Sequence, residues 1–340
     1  MPGNLTRSLG HTFRTQHSNQ VAKIIIRISS SKIERSIAVI ALACTLVSAG
    51  ATVQASLLVY EGFNYETASA TRAGADLLQG QPTDPGGTDT DAVGLGGVWQ
   101  MEAVGSLPSA SSDVFLKQGS LAFGDLMTSG NHVGSDTNQN QNVYSRQITA
   151  TLDAGDGFWL SFLAEKPQNN FNQAREGIAI TNQSVSDPRL NENSGSNLMG
   201  FGVAPTDAGN NWTAYAWDGT NIIQGSNSLP VTIGQGDVRL LVGHVSYDTG
   251  TNGADVFTLY EYQLSPDDSI FGGNLSLITA IEADVDQSLL DTLLLTRRVN
   301  TNFDEIRIGT TLQSVLPVPE PTRALLLSAG VALLLFRRRR

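Results

Sequence analysis

Asp255–Tyr262 reads DVFTLYEY. Phe257 and Leu259 fall on one side of a two-residue rhythm, and Val256, Thr258, Tyr260 and Tyr262 on the other. That is the pattern of a strand with two differently populated faces. The same rhythm recurs in Phe303–Gly309, FDEIRIG, where Ile306 and Ile308 alternate with Glu305 and Arg307. Val238–Ser246 and Phe158–Leu163 are apolar enough to be central strands. Asp218-Gly219 and Asn252-Gly253 punctuate the runs, Gly and Asn being the residues that reach positive φ in turns. Only Asp286–Arg297 suggests a helix, with Leu289, Leu290, Leu293 and Leu294 along one side. Many strands and few helices between residues 56 and 316 predict one all-β domain, a large antiparallel β-sandwich. Gln79–Gly97 and Asn131–Asn142 are expected as long polar loops.

The charge is uneven along the chain. Of the 21 Lys and Arg, 11 lie outside Ser56–Val318, leaving 10 there against 30 of the 32 acidic residues. The body is therefore near −20, whereas the whole chain is formally −11. So negative a surface repels phosphate backbones and excludes nucleic acid as an expected partner. The single cysteine, Cys44, precedes the body, so neither disulfides nor thiol chemistry are expected within it.

Both ends read as targeting segments. Lys32 and Arg35 precede an apolar stretch from Ile37 to Val47, and Val53-Gln54-Ala55 is an A-x-A-like site. This is the layout of a secretory signal peptide cleaved after Ala55 by way of the secretory translocon. At the other end Val318-Pro319-Glu320-Pro321 is followed by 13 apolar or small residues, Ala324–Phe336, and then by Arg337, Arg338, Arg339 and Arg340. The apolar run is shorter than the ~20 residues of a comfortable transmembrane helix. A thinned bilayer and snorkelling flanks accommodate such a span. The terminal arginines then stay in the cytoplasm and everything before them lies outside. The expected organisation is leader and signal peptide (1–55), sandwich body (56–316) and C-terminal tail (317–340).

That tail closely resembles the PEP-CTERM sorting signal of exopolysaccharide-producing Gram-negative bacteria, which membrane transpeptidases called exosortases process. The resemblance implies that Val318–Pro321 is the sorting motif and Arg337–Arg340 the stop-transfer flank. It also implies an exosortase as partner and a transient stay in the inner membrane before release to the envelope or extracellular matrix. The body contributes a second resemblance. LLVYEGFNY at 57–65 is similar to the LLVYEGFDY opening of PEP-CTERM proteins with a concanavalin-A-like (laminin-G-like) jelly roll. NFDEIRIGTTLQSVLP at 302–317 is similar to their closing strand, which in that fold pairs near the first. Tyr260-Glu261-Tyr262 stands where many relatives carry Trp-Val-Asn. The function implied is a non-enzymatic envelope or matrix protein, with a carbohydrate-binding module as the alternative and a glycoside hydrolase or lyase after it.

Three groups in the body are candidates for chemistry. Glu282, Asp284 and Asp286 share one face if the strand continues through them, the spacing that jelly-roll glycosidases use in a sugar cleft. Here the run ends in Asp286 where that pattern ends in Glu, and a solvated acidic strand edge explains the residues as well. No catalytic residue is therefore assigned. Asp84, Asp89 and Asp91 in one Gly-rich stretch, and Asp248, Asn252 and Asp255 in a hairpin, are oxygen donors of the kind Ca²⁺ takes. The same residue types are ordinary turn formers. Trp212, Tyr215 and Trp217 cluster in NNWTAYAWDG, and strand phase lets only Tyr215 and Trp217 share a surface that could stack on sugar rings. His244, inside a strand, is expected to be packed or hydrogen-bonded. No phosphate-binding loop, dinucleotide fingerprint, nucleophile elbow or zinc spacing occurs.

Overall fold

The computed structural model describes residues 56–65, 78–79, 81, 92–102, 114–126, 128, 130–134, 142–165, 176–185, 190, 197–205, 211–226, 231–232, 236–267, 269–270, 272–297 and 301–316. Ala55, the Asp84, Asp89 and Asp91 stretch, Val318–Pro321 and Arg337–Arg340 lie outside them.

Two antiparallel sheets face one another. The strands of the first are β1 (Leu57–Glu61), β3 (Phe115–Gln118), β4 (Asn131–Gly134), β6 (Gly157–Glu165), β12 (Val238–Ser246), β13 (Asp255–Gln263), β14 (Asn274–Ala283) and β16 (Asn302–Gly309). They run in the order β14-β13-β12-β6-β16-β4-β3, with β1 also paired to β16. The second sheet holds β2 (Leu95–Glu102), β5 (Asn142–Ile148), β7 (Gly177–Thr181), β8 (Met199–Pro205), β9 (Asn211–Asp218), β10 (Ile222–Gln224), β11 (Val231–Thr232) and β15 (Thr292–Arg297). Its order is β10-β9-β8-β7-β15-β5-β2, with β11 also paired to β9. The chain is thus the all-β antiparallel sandwich that the alternation predicts.

The alternation decides which side chains enter the core. Phe257 and Leu259 are buried between the sheets, as are Ile306 and Ile308. Phe162 and Phe303 from the first sheet meet Trp212 from the second, with ring centroids 6.1–6.3 Å apart. Phe201 and Phe257 make a second such contact at 5.5 Å. In β16 both Phe303 and Ile306 face inward although three residues apart, because the register with β6 shifts between Asp304 and Arg307. Glu305 takes φ +52 in that bulge. Positive φ is unfavourable for a side chain like this. Its Oε2 accepts two bonds from Arg307 (2.7 and 3.2 Å) and its Oε1 one from the Tyr60 hydroxyl (3.2 Å). Beside it, Asp304 accepts from Ser120 Oγ and Leu121 N, and burial holds its carboxyl well above the usual range.

Three sequence expectations change. Asp286–Arg297 is not a helix: a single 3-10 turn, Gln287–Leu289, leads into β15, a central strand between β5 and β7. Leu293 and Leu295 face the inter-sheet core while Leu294 packs on the opposite side. Both faces are covered, so Leu293, Leu294 and Leu295 form a continuous apolar run and the strand loses the alternation that would mark it. The expected loop Gln79–Gly97 gives way to β2 from Leu95, and Asn131–Asn142 begins with β4, whose Val133 is a core residue. Among the described residues no helix is long and apolar enough to cross a membrane.

One polar cluster lies within this apolar interior. Glu61 and Arg146, both buried, form an ion pair between β1 of the first sheet and β5 of the second. Glu61 also accepts from Phe63 N (2.8 Å), the Tyr65 hydroxyl (2.6 Å) and Trp99 Nε1 (3.2 Å). Arg146 Nη1 reaches the Tyr65 oxygen at 2.8 Å. Burial is the main cause that pushes the Tyr65 hydroxyl well above its ordinary pKa, so it stays a neutral donor. Losing one partner of such a pair leaves the other charge buried and uncompensated. R146M should therefore lower unfolding free energy by about 3–5 kcal/mol in urea titrations. E61Q/R146M should recover part of that loss, because the amide oxygen still accepts from Tyr65 and Trp99.

Candidate functional site

The aromatics singled out in NNWTAYAWDG lie in β9. Trp212 faces the inter-sheet core, while Tyr215 and Trp217 face the other way, in the phase expected. They do not, however, present their rings to a ligand: both are fully buried on the outer side of the second sheet beneath Val185, Leu190 and Leu198. The Tyr215 hydroxyl donates to Pro205 O (3.3 Å) and Trp217 Nε1 to Leu190 O (3.2 Å). Gly202 provides the room, since a Cβ there would lie 2.9 Å from the Trp217 ring. The segment that covers them belongs to a connection between strands, which alternation within β9 cannot reveal. Tyr215 and Trp217 therefore offer no ring face to a glycan.

Glu282, Asp284 and Asp286 share the exposed phase, alternating with buried Ile281, Ala283 and Val285. Only Glu282 lies in β14. Its carboxylate accepts from Thr251 N (2.9 Å), which holds it below the ordinary carboxylate pKa. Asp286 accepts from Ser288 N and Oγ at the head of the 3-10 turn. These are the bonds of a solvated, turn-capping edge.

In the hairpin, Asp248 (φ +54) and Asn252 (φ +58) adopt left-handed turn conformations. Asp255 is buried and accepts from Asp248 N (3.1 Å), Val285 N (3.3 Å) and Gln287 Nε2 (2.7 Å). Its oxygens are thus engaged in tying the hairpin to the segment after β14. Burial raises its pKa against these bonds. Among the described residues no three His, Cys, Asp or Glu side chains converge as a metal would require.

The outer face of the first sheet carries a different aromatic group. Trp159 on β6, His244 on β12 and Tyr260 on β13 all point away from the core and are all partly exposed. The register sets Trp159 beside His244 and Tyr260 beside Val242, one step diagonal to His244. The Trp159 and His244 rings stack at 4.0 Å and 16°. Tyr260 lies 6.4 Å from Trp159 at 22°, so the rings are close to parallel. Around them stand Leu277, 47% exposed, and the partly exposed Thr258 and Ser246. Ser246 Oγ lies 3.3 Å from His244 Nδ1.

Part of this face is covered. Leu163, Leu240, Val242 and Tyr262 pack under Leu121, Phe123, Leu126 and Ile270. Asp125 secures that cover by accepting from Ile270 N (2.6 Å) and Ser269 Oγ (2.8 Å). A short helix, α1 (Leu312–Val315), closes the other flank, where Ser161 Oγ donates to Val315 O at 2.6 Å. The aromatic strip lies beside this covered part of the sheet. Such rings bind through an apolar face while hydroxyls and the imidazole supply polar edges.

His244 was expected to be packed or hydrogen-bonded, and it stacks on Trp159 with Ser246 Oγ 3.3 Å from its Nδ1. That it belongs to a strip could not be read from the sequence, because Trp159 and Tyr260 meet it only through strand register. The usable signal was an aromatic on the non-core phase of each of three central strands.

No family model matches the chain, and no curated protein matches it. Solved structures do align with it. The T. cruzi calreticulin globular domain does so at 15% identity and a TM-score of 0.42, over 71% of this chain and 95% of that one. A carbohydrate esterase from Shiga toxin-encoding bacteriophage phi24B aligns at 13% identity and 0.36, over 76% and 99%. The alginate lyase Aly36B, in complex with an alginate trisaccharide, aligns at 10% identity and 0.36, over 75% and 100%.

Burial lowers the His244 pKa from 6.5. The folded state therefore favours neutral imidazole, and His244's contribution to stability is complete above pH 6.5 and lost as pH falls toward the depressed folded value. Melting temperature should decline between pH 7 and pH 5, and H244Q should remove part of that decline.

Proposed function

We propose that this chain is an exported, non-enzymatic envelope protein that holds extracellular polysaccharide on the Trp159–His244–Tyr260 strip. The observation that carries it is the set of near-parallel, partly exposed rings left open on a partly covered sheet face. The C–H face of a pyranose ring is apolar and its hydroxyls radiate sideways, which matches a flat aromatic floor with a polar rim. The strongly acidic body suits a matrix role, and it favours neutral over anionic glycans.

The body belongs, in this proposal, with the concanavalin-A-like jelly rolls of PEP-CTERM proteins. Residues 1–55 are the leader and signal peptide, cleaved after Ala55. Residues 317–340 hold the protein in the inner membrane until an exosortase acts at Val318–Pro321. The candidate carboxylates Glu282, Asp286 and Asp255 are engaged in holding loops and turns, which favours binding over hydrolysis.

Purified protein should bind one or more polysaccharides on a glycan array. W159A/Y260A should weaken that binding at least tenfold while melting stays within a few degrees, since both rings lie outside the inter-sheet core. Equal binding by the variant, or no binding by the parent, would refute the strip as a glycan site. Mass spectrometry of the mature protein from its host should find a C-terminus upstream of Arg337, and an intact four-arginine end would refute the sorting proposal.

A further inference from the structure

On the outer side of the second sheet, β2 parts from β5. Gly96 pairs with Gln147 and Gln100 with Ser145, so three residues of β2 stand opposite Arg146 alone. Gly97 takes φ +60 in this bulge, a conformation that favours glycine, and a Cβ built there would meet nothing within 4 Å. The gap opens a cavity of about 300 Å³. That is the lower end of the range for small-molecule sites, about 300–1,000 Å³.

The chemistry of its lining is uniform. Gln100, Ser145, Gln147, Ser184 and Thr292 contribute neutral amide and hydroxyl groups from β2, β5, the segment after β7 and β15. Among the described residues, Val98, two glycines and Arg146 complete the lining. Among the described lining residues Arg146 alone is charged, and its charge is already matched by Glu61. Two lining residues carry a buried polar atom with no hydrogen-bond partner, Arg146 Nε and Ser184 Oγ. Native structures rarely leave such groups unpaired, because a buried donor without an acceptor is unfavourable. Ser184 Oγ becomes satisfied if an oxygen-bearing molecule enters and its side chain turns to meet it.

We infer that this bulge cavity is a second binding site, for a single neutral sugar unit recognised through its hydroxyls. Many neutral donors and acceptors converging on a monosaccharide-sized space match a ring bearing several hydroxyls. An anion would meet Glu61 behind the arginine and the negative field of the whole body. Among the described residues no aromatic ring lines the cavity, so recognition there rests on hydrogen bonds and differs in kind from stacking on the aromatic strip.

The test is saturation-transfer NMR and calorimetric titration on the full chain carrying W159A/Y260A, which removes the strip as a competing site. The probes are glucose, galactose, mannose, sodium glucuronate and glycerol. At least one neutral hexose should bind at millimolar concentration, and Q147A/S184A should abolish its signal while melting stays unchanged. Absence of binding by all three hexoses would overturn the inference, as would binding that survives Q147A/S184A. Preference for glucuronate would overturn the neutral assignment. Equal competition by glycerol would show a generic polyol pocket and overturn the assignment to a sugar.

Discussion

The Glu61–Arg146 ion pair is the constraint on which the arrangement of the two sheets depends. Apolar faces attract one another without fixing a direction, so burial alone would let the sheets slide. A charge pair buried between them does not tolerate sliding, because any shift strands one ion in a medium that cannot solvate it. Trp99, Tyr65 and the backbone of Phe63 converge on the same carboxylate. The pair therefore fixes β1, which is paired to β16, which in turn is paired to β6 and the Trp159 position. The bulge of β2 opposite Arg146 belongs to the same arrangement, because Trp99 must turn inward to reach Glu61.

The polar interior is matched by a division of labour on the exterior. The outer face of the second sheet is covered by an inter-strand segment that buries Tyr215 and Trp217. The outer face of the first is covered only in part, by Leu121, Phe123, Leu126, Leu264, Ile270 and α1. Where an aromatic residue ends up thus depends less on its strand than on which connection lies across it. In β9 and β6 the sequence pattern is similar, a Trp or Tyr on the non-core phase, and the outcomes are opposite.

This marks how far the chain was legible before folding. Two-sided strands such as Asp255–Gln263 and Asn302–Gly309 announced themselves, because one face meets the core and the other does not. The all-β sandwich and the division of Trp212 from Tyr215 and Trp217 follow from that rhythm alone. Thr292–Arg297 did not announce itself, since a strand covered on both faces has the same consecutive leucines as a buried helix. The strip was hidden for a different reason. Trp159, His244 and Tyr260 are separated by 85 and 16 positions in the chain and are joined only by register. The bulge cavity was hidden too, because its lining is made of ordinary serines, threonine and glutamines that carry no motif.

The pairing of β1 with β16 has a consequence for biogenesis. Ser56 N donates to Thr310 Oγ1 across a separation of 254 residues, and Leu57–Glu61 lies along Ile306–Gly309. Strand β16 is also the partner that β6 needs on its open side. An emerging polypeptide therefore lacks an interior rung of its first sheet until nearly all of residues 56–316 is present, and loops closed over such distances form slowly. The sheet thus consolidates only when that last rung is added. The two ends of the sandwich, brought together by that final rung, would then leave the finished particle from neighbouring points.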